Sequence, residues 1–190
     1  MGAGHDHGAR EMSDGRLVGA VAVNLLLTIA QIIGGVVSGS LALIADALHN
    51  LNDAASLMTF GYGRAEIVAA LINLTTLIIV GLYLLVEAIN RFLDPQPVGG
   101  WIIVIVAGIA LVIDIITALL VYAGSKHSLN IKAAFLHNVS DALASVGVII
   151  AGALILLYDL YIADLVMTVL IAGYVLYQGF SLLPQTIKLL

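Results

Sequence analysis

Residues 101–123 read WIIVIVAGIALVIDIITALLVYA, an apolar run in which Asp114 is the single charged residue. A helix needs about 20 apolar residues to cross the hydrocarbon core of a bilayer. This run is long enough. It also lacks the alternating polarity, in segments of about ten residues, that is typical of membrane β-strands. The run therefore predicts a transmembrane helix.

Five further apolar segments surround this run, and short turns separate them. Of the 190 residues, 62% are hydrophobic and 10% are charged, whereas a soluble domain has about 45–50% and about 25%. We therefore predict an all-α integral membrane protein. A polar cytoplasmic N-terminal tail, residues 1–16, precedes a six-helix transport domain over residues 17–190. The predicted segments are Leu17–Val37, Leu41–Phe60, Ala65–Phe92, Trp101–Ala123, Ile131–Tyr158 and Ile162–Leu183.

The basic residues predict how the bundle is oriented. With the N-terminus inside, Arg91 alone falls on the outer side, and this asymmetry matches the positive-inside rule. Both termini are therefore predicted to be cytoplasmic. The basic residues on the inner side are Arg10, Arg16, Arg64, Lys126, Lys132 and Lys188.

The net charge argues against one class of partner, and the absence of cysteine excludes two kinds of site. The net charge of −5 argues against a nucleic-acid partner, which requires a basic surface. The chain has no cysteine, so it contains neither disulfides nor thiolate metal sites.

Ionisable side chains inside the predicted spans are the first candidates for function. Each costs about 2.5–3.5 kcal/mol at mid-span by insertion scales. Glu87 and Arg91 stand four residues apart near the outer end of the third segment, where an ion pair within the helix is the simpler interpretation. The candidates taken from these acids and histidines are Asp46, His49, Asp53, Glu87, Asp114, His137 and Asp141.

Two spans share one motif, Leu-His-Asn-x-x-Asp-Ala, at Leu48–Ala54 and Leu136–Ala142. Residues at i and i+4 lie on one face of a helix. Each helix can therefore offer one imidazole nitrogen and one carboxylate oxygen to a single point. If the two helices meet, the four ligands suit Zn²⁺; the predicted set is His49, Asp53, His137 and Asp141. The alternative is a hydrogen-bonded packing contact within each helix, which the duplication inside the membrane disfavours.

Four neighbouring polar residues are further candidates for supporting the site or conducting protons. Asp46 precedes His49 by three residues and could hydrogen-bond its second nitrogen, or it could make a local helix bond. Asp114 is interpreted either as a proton carrier beside the site or as a protonated acid bonded to a neighbouring helix. For Asn50 and Asn138 we expect hydrogen bonding between helices.

Three motifs resemble the cation diffusion facilitator family. Gly39–Leu43 with Ala45–His49 is similar to its second helix. Phe60–Glu66, which reads FGYGRAE, is similar to the signature that opens its third helix. Ala133–His137 followed by Asp141 is similar to its fifth helix. The resemblance covers nearly all of residues 17–190.

This resemblance implies six helices and the export of a divalent transition metal ion from the cytoplasm in exchange for protons. His49, Asp53, His137 and Asp141 occupy the positions of the family's transport site. Histidine at position 49 is similar to the zinc-preferring branch, so zinc is expected first, with cadmium, cobalt or iron as alternatives. The metal is a substrate, and no enzyme activity or cofactor is expected. The expected location is the inner membrane of a bacterium.

The chain departs from the family pattern in three ways. It ends at Leu190 without the usual cytoplasmic domain that binds metal and dimerises, so a homodimer is left open. The stretch between Asp53 and the signature at Phe60 is short and contains only Ala54–Thr59. The loop after the fourth segment contains a single histidine, His127, whereas this loop is histidine-rich in many members of the family. The alternatives are therefore a metal-binding or truncated membrane protein without transport, or a passive channel. An intramembrane zinc hydrolase is disfavoured because the sequence lacks H-E-x-x-H.

Overall fold

The computed structural model describes the backbone of residues 7–59, 64–125 and 129–188, with side chains chiefly within 22–52, 67–120 and 135–184. These ranges contain six helices and no strand. The FGYG signature and His127 lie outside them. The helices are α1 His7–Ser38, α2 Leu41–Thr59, α3 Arg64–Leu93, α4 Gly100–Ser125, α5 Leu129–Tyr158 and α6 Ile162–Ile187.

The outer surface of the bundle is apolar, as a lipid environment requires. Large hydrophobic side chains such as Ile33, Leu120 and Tyr177 are exposed. Within the described residues, α3, α4, α5 and α6 each contain an apolar stretch long enough to cross a membrane, and α1 has a shorter one, Ala22–Ser38. The prediction of an all-α membrane bundle is therefore confirmed. The observed helix α1 begins at His7 rather than Leu17, so the helix extends through part of the polar segment.

The turn between α1 and α2 is tight and closely packed. Gly39 has a φ of 74°, a conformation that glycine adopts without steric penalty. The Ser40 amide donates to the Gly35 carbonyl at 2.9 Å, as in a Schellman helix end. A Cβ on Gly35 would lie 2.6 Å from Cγ1 of Ile44. Glycine there allows α2 to pack directly against α1.

Helix α2 lies at the centre of the bundle. It packs against α1, α3 and α6 and touches α5, while α4 pairs with α5 and α3 pairs with α6. Its buried residues Leu41, Ala42 and Leu43 belong to the main hydrophobic core. The polar residues Asp46, His49 and Asn50 of α2 are buried as well, so they face other helices and not lipid.

Three connections share one end of the bundle: α1–α2, α3–α4 and α5–α6. The Gly99 amide, before α4, donates to the Ser38 carbonyl at the end of α1 at 2.8 Å. We refer to this end as the outer end, following the orientation predicted from the basic residues.

Candidate metal centre

Helices α2 and α5 bring three of the four predicted ligands together. Nε2 of His49 lies 2.9 Å from Oδ1 of Asp141, and Nε2 of His137 lies 3.6 Å from Oδ2 of Asp141. The two imidazole ring centroids are 5.6 Å apart. One ligand atom from each of the three residues lies within 4.8 Å of the others. The cluster therefore joins two helices through one shared carboxylate.

The fourth predicted ligand cannot be placed in this cluster. Asp53 lies on α2 one turn beyond His49, but its side chain is outside the described residues. Its role as a ligand stays a prediction from the i, i+4 spacing.

The three clustered side chains differ in exposure. The side chains of His49 and Asp141 are buried, at 5% and 10% exposure, whereas the side chain of His137 retains 37%. His49 and Asp141 are therefore largely shielded from their surroundings, and His137 is the most exposed of the three clustered side chains.

The donor set suits a borderline transition metal. Zn²⁺ binds histidine nitrogen at about 2.0–2.1 Å and carboxylate oxygen at about 2.0–2.2 Å. Ligands in a tetrahedral arrangement at that radius are about 3.4 Å apart, close to the two contacts that Asp141 makes. Small side-chain adjustments would let His49, His137 and Asp141 hold one ion between them.

A glutamine on α1 bonds to residues on both sides of the predicted ligand His49. The Gln31 side chain is fully buried and donates through Nε2 to Oδ2 of Asp46 at 2.5 Å. Nδ2 of Asn50 donates to Oε1 of Gln31 at 2.8 Å. Asp46 and Asn50 stand three residues before and one residue after His49. The candidates chosen from the sequence were ionisable residues and two asparagines, so Gln31 was missed. The signal that could have identified Gln31 was a polar amide side chain within an apolar membrane segment.

Asp114 is an acid on α4 that is bonded to α5. It is buried, and Ser145 Oγ on α5 donates to its Oδ2 at 2.9 Å. Ser145 lies one helical turn from Asp141. This contact fits the interpretation of Asp114 as an acid bonded to a neighbouring helix. Its role as a proton carrier stays a prediction. Asn138 is half-buried, next to His137.

A cavity of about 250 Å³ adjoins the cluster between α2, α5 and α6. Its polar lining includes Asp46, His49 and Asp141. Tyr174 of α6 contacts His49 edge to face, with ring centroids 5.8 Å apart. Met167 also lines the space. It precedes Tyr174 on α6 and lies about two helical turns nearer the outer end. The cavity therefore connects the level of the cluster with the outer half of the bundle.

Three further ionisable residues lie nearer the outer end. The predicted pair of Glu87 and Arg91 is present, at 2.9 Å. Nη1 of Arg91 also donates to the Gly39 carbonyl at 2.5 Å.

Asp164, in the first turn of α6, is fully buried and accepts from Ser40 Oγ at 2.5 Å and from the Leu41 amide at 2.9 Å. The sequence analysis missed Asp164 because it stands at the start of a span, far in sequence from its partners.

The family of the chain is shown by comparison with known proteins. The family model of the cation efflux transmembrane domain matches residues 17–59 and 56–190. The chain therefore belongs to the cation efflux family, as its motifs indicated.

Curated relatives in this family are bacterial metal transporters. The chain is 37% identical over 202 residues to the zinc transporter ZitB of Pectobacterium atrosepticum, covering 96% of this chain and 63% of that protein. It is 35% identical over 209 residues to the cadmium, cobalt and zinc/H(+)-K(+) antiporter of Bacillus subtilis, and 36% over 208 residues to the metal cation efflux system protein CzcD of Cupriavidus metallidurans. Each of these two matches covers 100% of this chain and 66% of the relative. The chain thus spans slightly under two thirds of the length of these proteins.

The same comparisons point to a shortened segment inside the chain. The match to the Bacillus subtilis protein runs over 209 positions, while this chain has 190 residues, so about 19 positions have no counterpart here. The family match itself divides at residues 56–59, at the end of α2. Helix α2 has 19 residues, whereas the other five have 26 to 32. These observations agree with the short stretch noted between Asp53 and Phe60.

Proposed function

We propose that this protein exports a divalent transition metal ion from the cytoplasm, zinc first, in exchange for protons. The convergence of His49, His137 and Asp141 from two separate helices of a membrane bundle carries the proposal. A contact within one helix would explain His137 with Asp141. It would not explain why His49, from α2, binds the same carboxylate at 2.9 Å.

The ligand chemistry supports zinc before other ions. Two imidazole nitrogens and a carboxylate oxygen, with Asp53 as the predicted fourth ligand, form a closed set without the open position that hydrolytic zinc sites keep. Cadmium, cobalt and iron stay alternatives, because first-row ions bind such ligands in an order that the ligand types alone do not overturn. The relatives carry names that include zinc, cadmium and cobalt.

Proton exchange follows from the same ligands. A metal ion requires neutral imidazole and ionised carboxylate, so protons and metal compete for one site. An acidic outer compartment would displace the metal and return the carrier protonated. One relative is named as an antiporter of metal against H(+) and K(+). The bacterial sources of the relatives support a location in a bacterial inner membrane.

Metal flux into sealed proteoliposomes tests the proposal. The wild-type protein is expected to move Zn²⁺ saturably and faster when a pH gradient drives proton counterflow, and Asp141→Ala is expected to abolish this flux. Asp159→Asn is a matched control, because Asp159 lies exposed in the α5–α6 connection. Zn²⁺ flux that is equal in wild type and Asp141→Ala would refute transport through this site. Flux indifferent to the pH gradient would refute the exchange.

One observation favours a second candidate, a membrane protein that binds the metal without moving it. The match to the Bacillus subtilis antiporter leaves about 19 positions without a counterpart here, and the family match divides at residues 56–59, close to the predicted ligand Asp53. If calorimetry shows Zn²⁺ binding that Asp141→Ala eliminates, while the liposomes show no flux, this second function is correct.

A further inference from the structure

Asp164 is a buried carboxylate that the proposed metal centre does not use. Its exposure is 0%, and it lies in the first turn of α6, inside a membrane span. A buried acid in a membrane protein is expensive and usually marks a function. Its position places it at the outer end, well apart from His137 and Asp141.

The carboxylate is bonded to the first residues of the helix that carries His49. Oδ1 of Asp164 accepts from Ser40 Oγ at 2.5 Å, and Oδ2 accepts from the Leu41 amide at 2.9 Å. Ser40 Oγ in turn accepts from the Leu43 amide at 3.1 Å, so Ser40 is the N-cap of α2. A negative group is favourable at a helix N-terminus. Asp164 therefore fixes the start of α2 from another helix, at a sequence separation of 123 positions from Leu41.

A second contact holds the same turn from α3. Arg91 donates to the Gly39 carbonyl at 2.5 Å and is itself held by Glu87 at 2.9 Å. The α1–α2 turn is thus bonded to both members of the α3–α6 pair. Asp164 and Arg91 are ionisable, whereas the groups that they contact on the turn are two backbone groups and the Ser40 hydroxyl.

These bonds lie above the cavity that adjoins the metal centre. Helices α2 and α6 form two of its walls, with Asp46 and His49 on one and Met167, Ile171 and Tyr174 on the other. Ser40 precedes His49 by nine residues, or about 13 Å along a helix. An ion held by His49 would leave between these walls through a separation of the outer ends of α2 and α6. That separation breaks both bonds of Asp164.

We propose that Asp164 is a positioning residue that closes the outer end of the transport pathway, and that its release from Ser40 and Leu41 opens the metal centre outward. This inference rests on the proposed transport function. It assigns the closure to a residue outside the ligand set, so its loss changes access to the site without removing a ligand.

Side-specific labelling of a single cysteine tests this closure. The natural chain has no cysteine, so Ala144→Cys, which lines the cavity on α5, gives a reporter without background. A membrane-impermeant thiol reagent is added to the outer or the inner face of oriented vesicles. In the reporter background, Asp164→Asn is expected to raise the outer labelling rate about tenfold or more, a factor that corresponds to about 1.4 kcal/mol. The rate from the inner face should change little.

Controls separate opening from loosening or loss of the fold. Asp159→Asn, a nearby exposed acid, should label like the parent. Zn²⁺ binding by calorimetry should stay within about threefold in Asp164→Asn, because no ligand is altered. If Asp164→Asn fails to bind, Ser40→Ala, which removes one of the two bonds, is judged by the same rates.

Unchanged outer labelling in a variant that binds Zn²⁺ overturns the proposal, and so does an equal rise from both faces. The labelling needs no metal and no flux. If the protein binds Zn²⁺ without transporting it, the proposed function is refuted, but the labelling rates still test whether Asp164 closes the outer end.

Discussion

Replacing Asp141 by asparagine is the most direct perturbation of the proposed metal centre. The substitution keeps the size of the side chain but removes the charge that both imidazoles contact, at 2.9 Å and 3.6 Å. We expect Asp141→Asn to weaken Zn²⁺ binding by about 100-fold or more. This corresponds to about 2.8 kcal/mol at 1.4 kcal/mol for each factor of ten.

The magnitude follows from the contacts of Asp141. A unit charge 4 Å from a divalent ion interacts by about 8 kcal/mol at an effective dielectric constant of 20, twice the value for two unit charges. Most of this is offset by the dehydration of the ion and the carboxylate. A net loss of about 3 kcal/mol agrees with the upper range for hydrogen bonds to charged groups.

The same substitution should leave the metal-free fold intact. An aspartate at mid-span costs about 2.5–3.5 kcal/mol by insertion scales, so the neutral amide relieves a cost as it removes a ligand. We therefore expect the thermal unfolding temperature of metal-free Asp141→Asn to equal or exceed that of the wild type. Calorimetry in detergent measures the binding, with Asp159→Asn as the control. Binding within threefold of the wild type would show that Asp141 is not a ligand and would refute the reasoning from its position.

Two further predictions concern protons and helix packing. Zn²⁺ binding should weaken by about tenfold or more between pH 7.5 and pH 5.5, because protonated imidazole cannot bind metal. Calorimetry in buffers of different ionisation enthalpy would detect the released protons, and a pH-independent affinity would contradict this. Gly35→Ala should lower the stability of the metal-free protein by about 1–3 kcal/mol through overpacking, because its Cβ would lie 2.6 Å from Ile44 Cγ1. Gly108→Ala, where no atom lies within 4 Å, should be neutral in the same thermal unfolding measurement, and equal losses would argue against the α1–α2 contact.

The sequence was sufficient to predict the bundle and the meeting of His49 with His137 and Asp141. Apolar length defines a membrane helix locally, and an i, i+4 motif places two side chains on one face without knowledge of the fold. The duplicated motif then supplied the long-range information, since two copies inside lipid have reason to meet. Helix ends were less predictable, and α1 begins at His7 because a helix can continue past the membrane surface through polar residues.

The sequence was insufficient where a partner comes from another helix without a matching motif. Asp46 was expected to face His49 or its own helix, but its described hydrogen-bond donor is Gln31 of α1. Asp164 finds Ser40 across 124 positions of the chain. Neither pairing has a periodic signal, because each depends on which helices become neighbours and at what depth. The expected link between Asp114 and a neighbouring helix named no partner, and the structure supplies Ser145.

The hydrogen bonds of Gln31 couple the helix that carries His49 to α1. Gln31 bonds to Asp46 and Asn50 on α2, three residues before and one residue after His49, so a rotation of α2 that turns His49 either breaks these bonds or carries α1 with it. The face of α1 away from Gln31 exposes Ile32, Ile33, Val36 and Val37, an apolar surface suited to contact with lipid. A rotation of α2 that reorients the His49 imidazole and carries α1 would move this apolar face against the lipid, so we expect the rate of the proposed transport to depend on the stiffness and thickness of the bilayer.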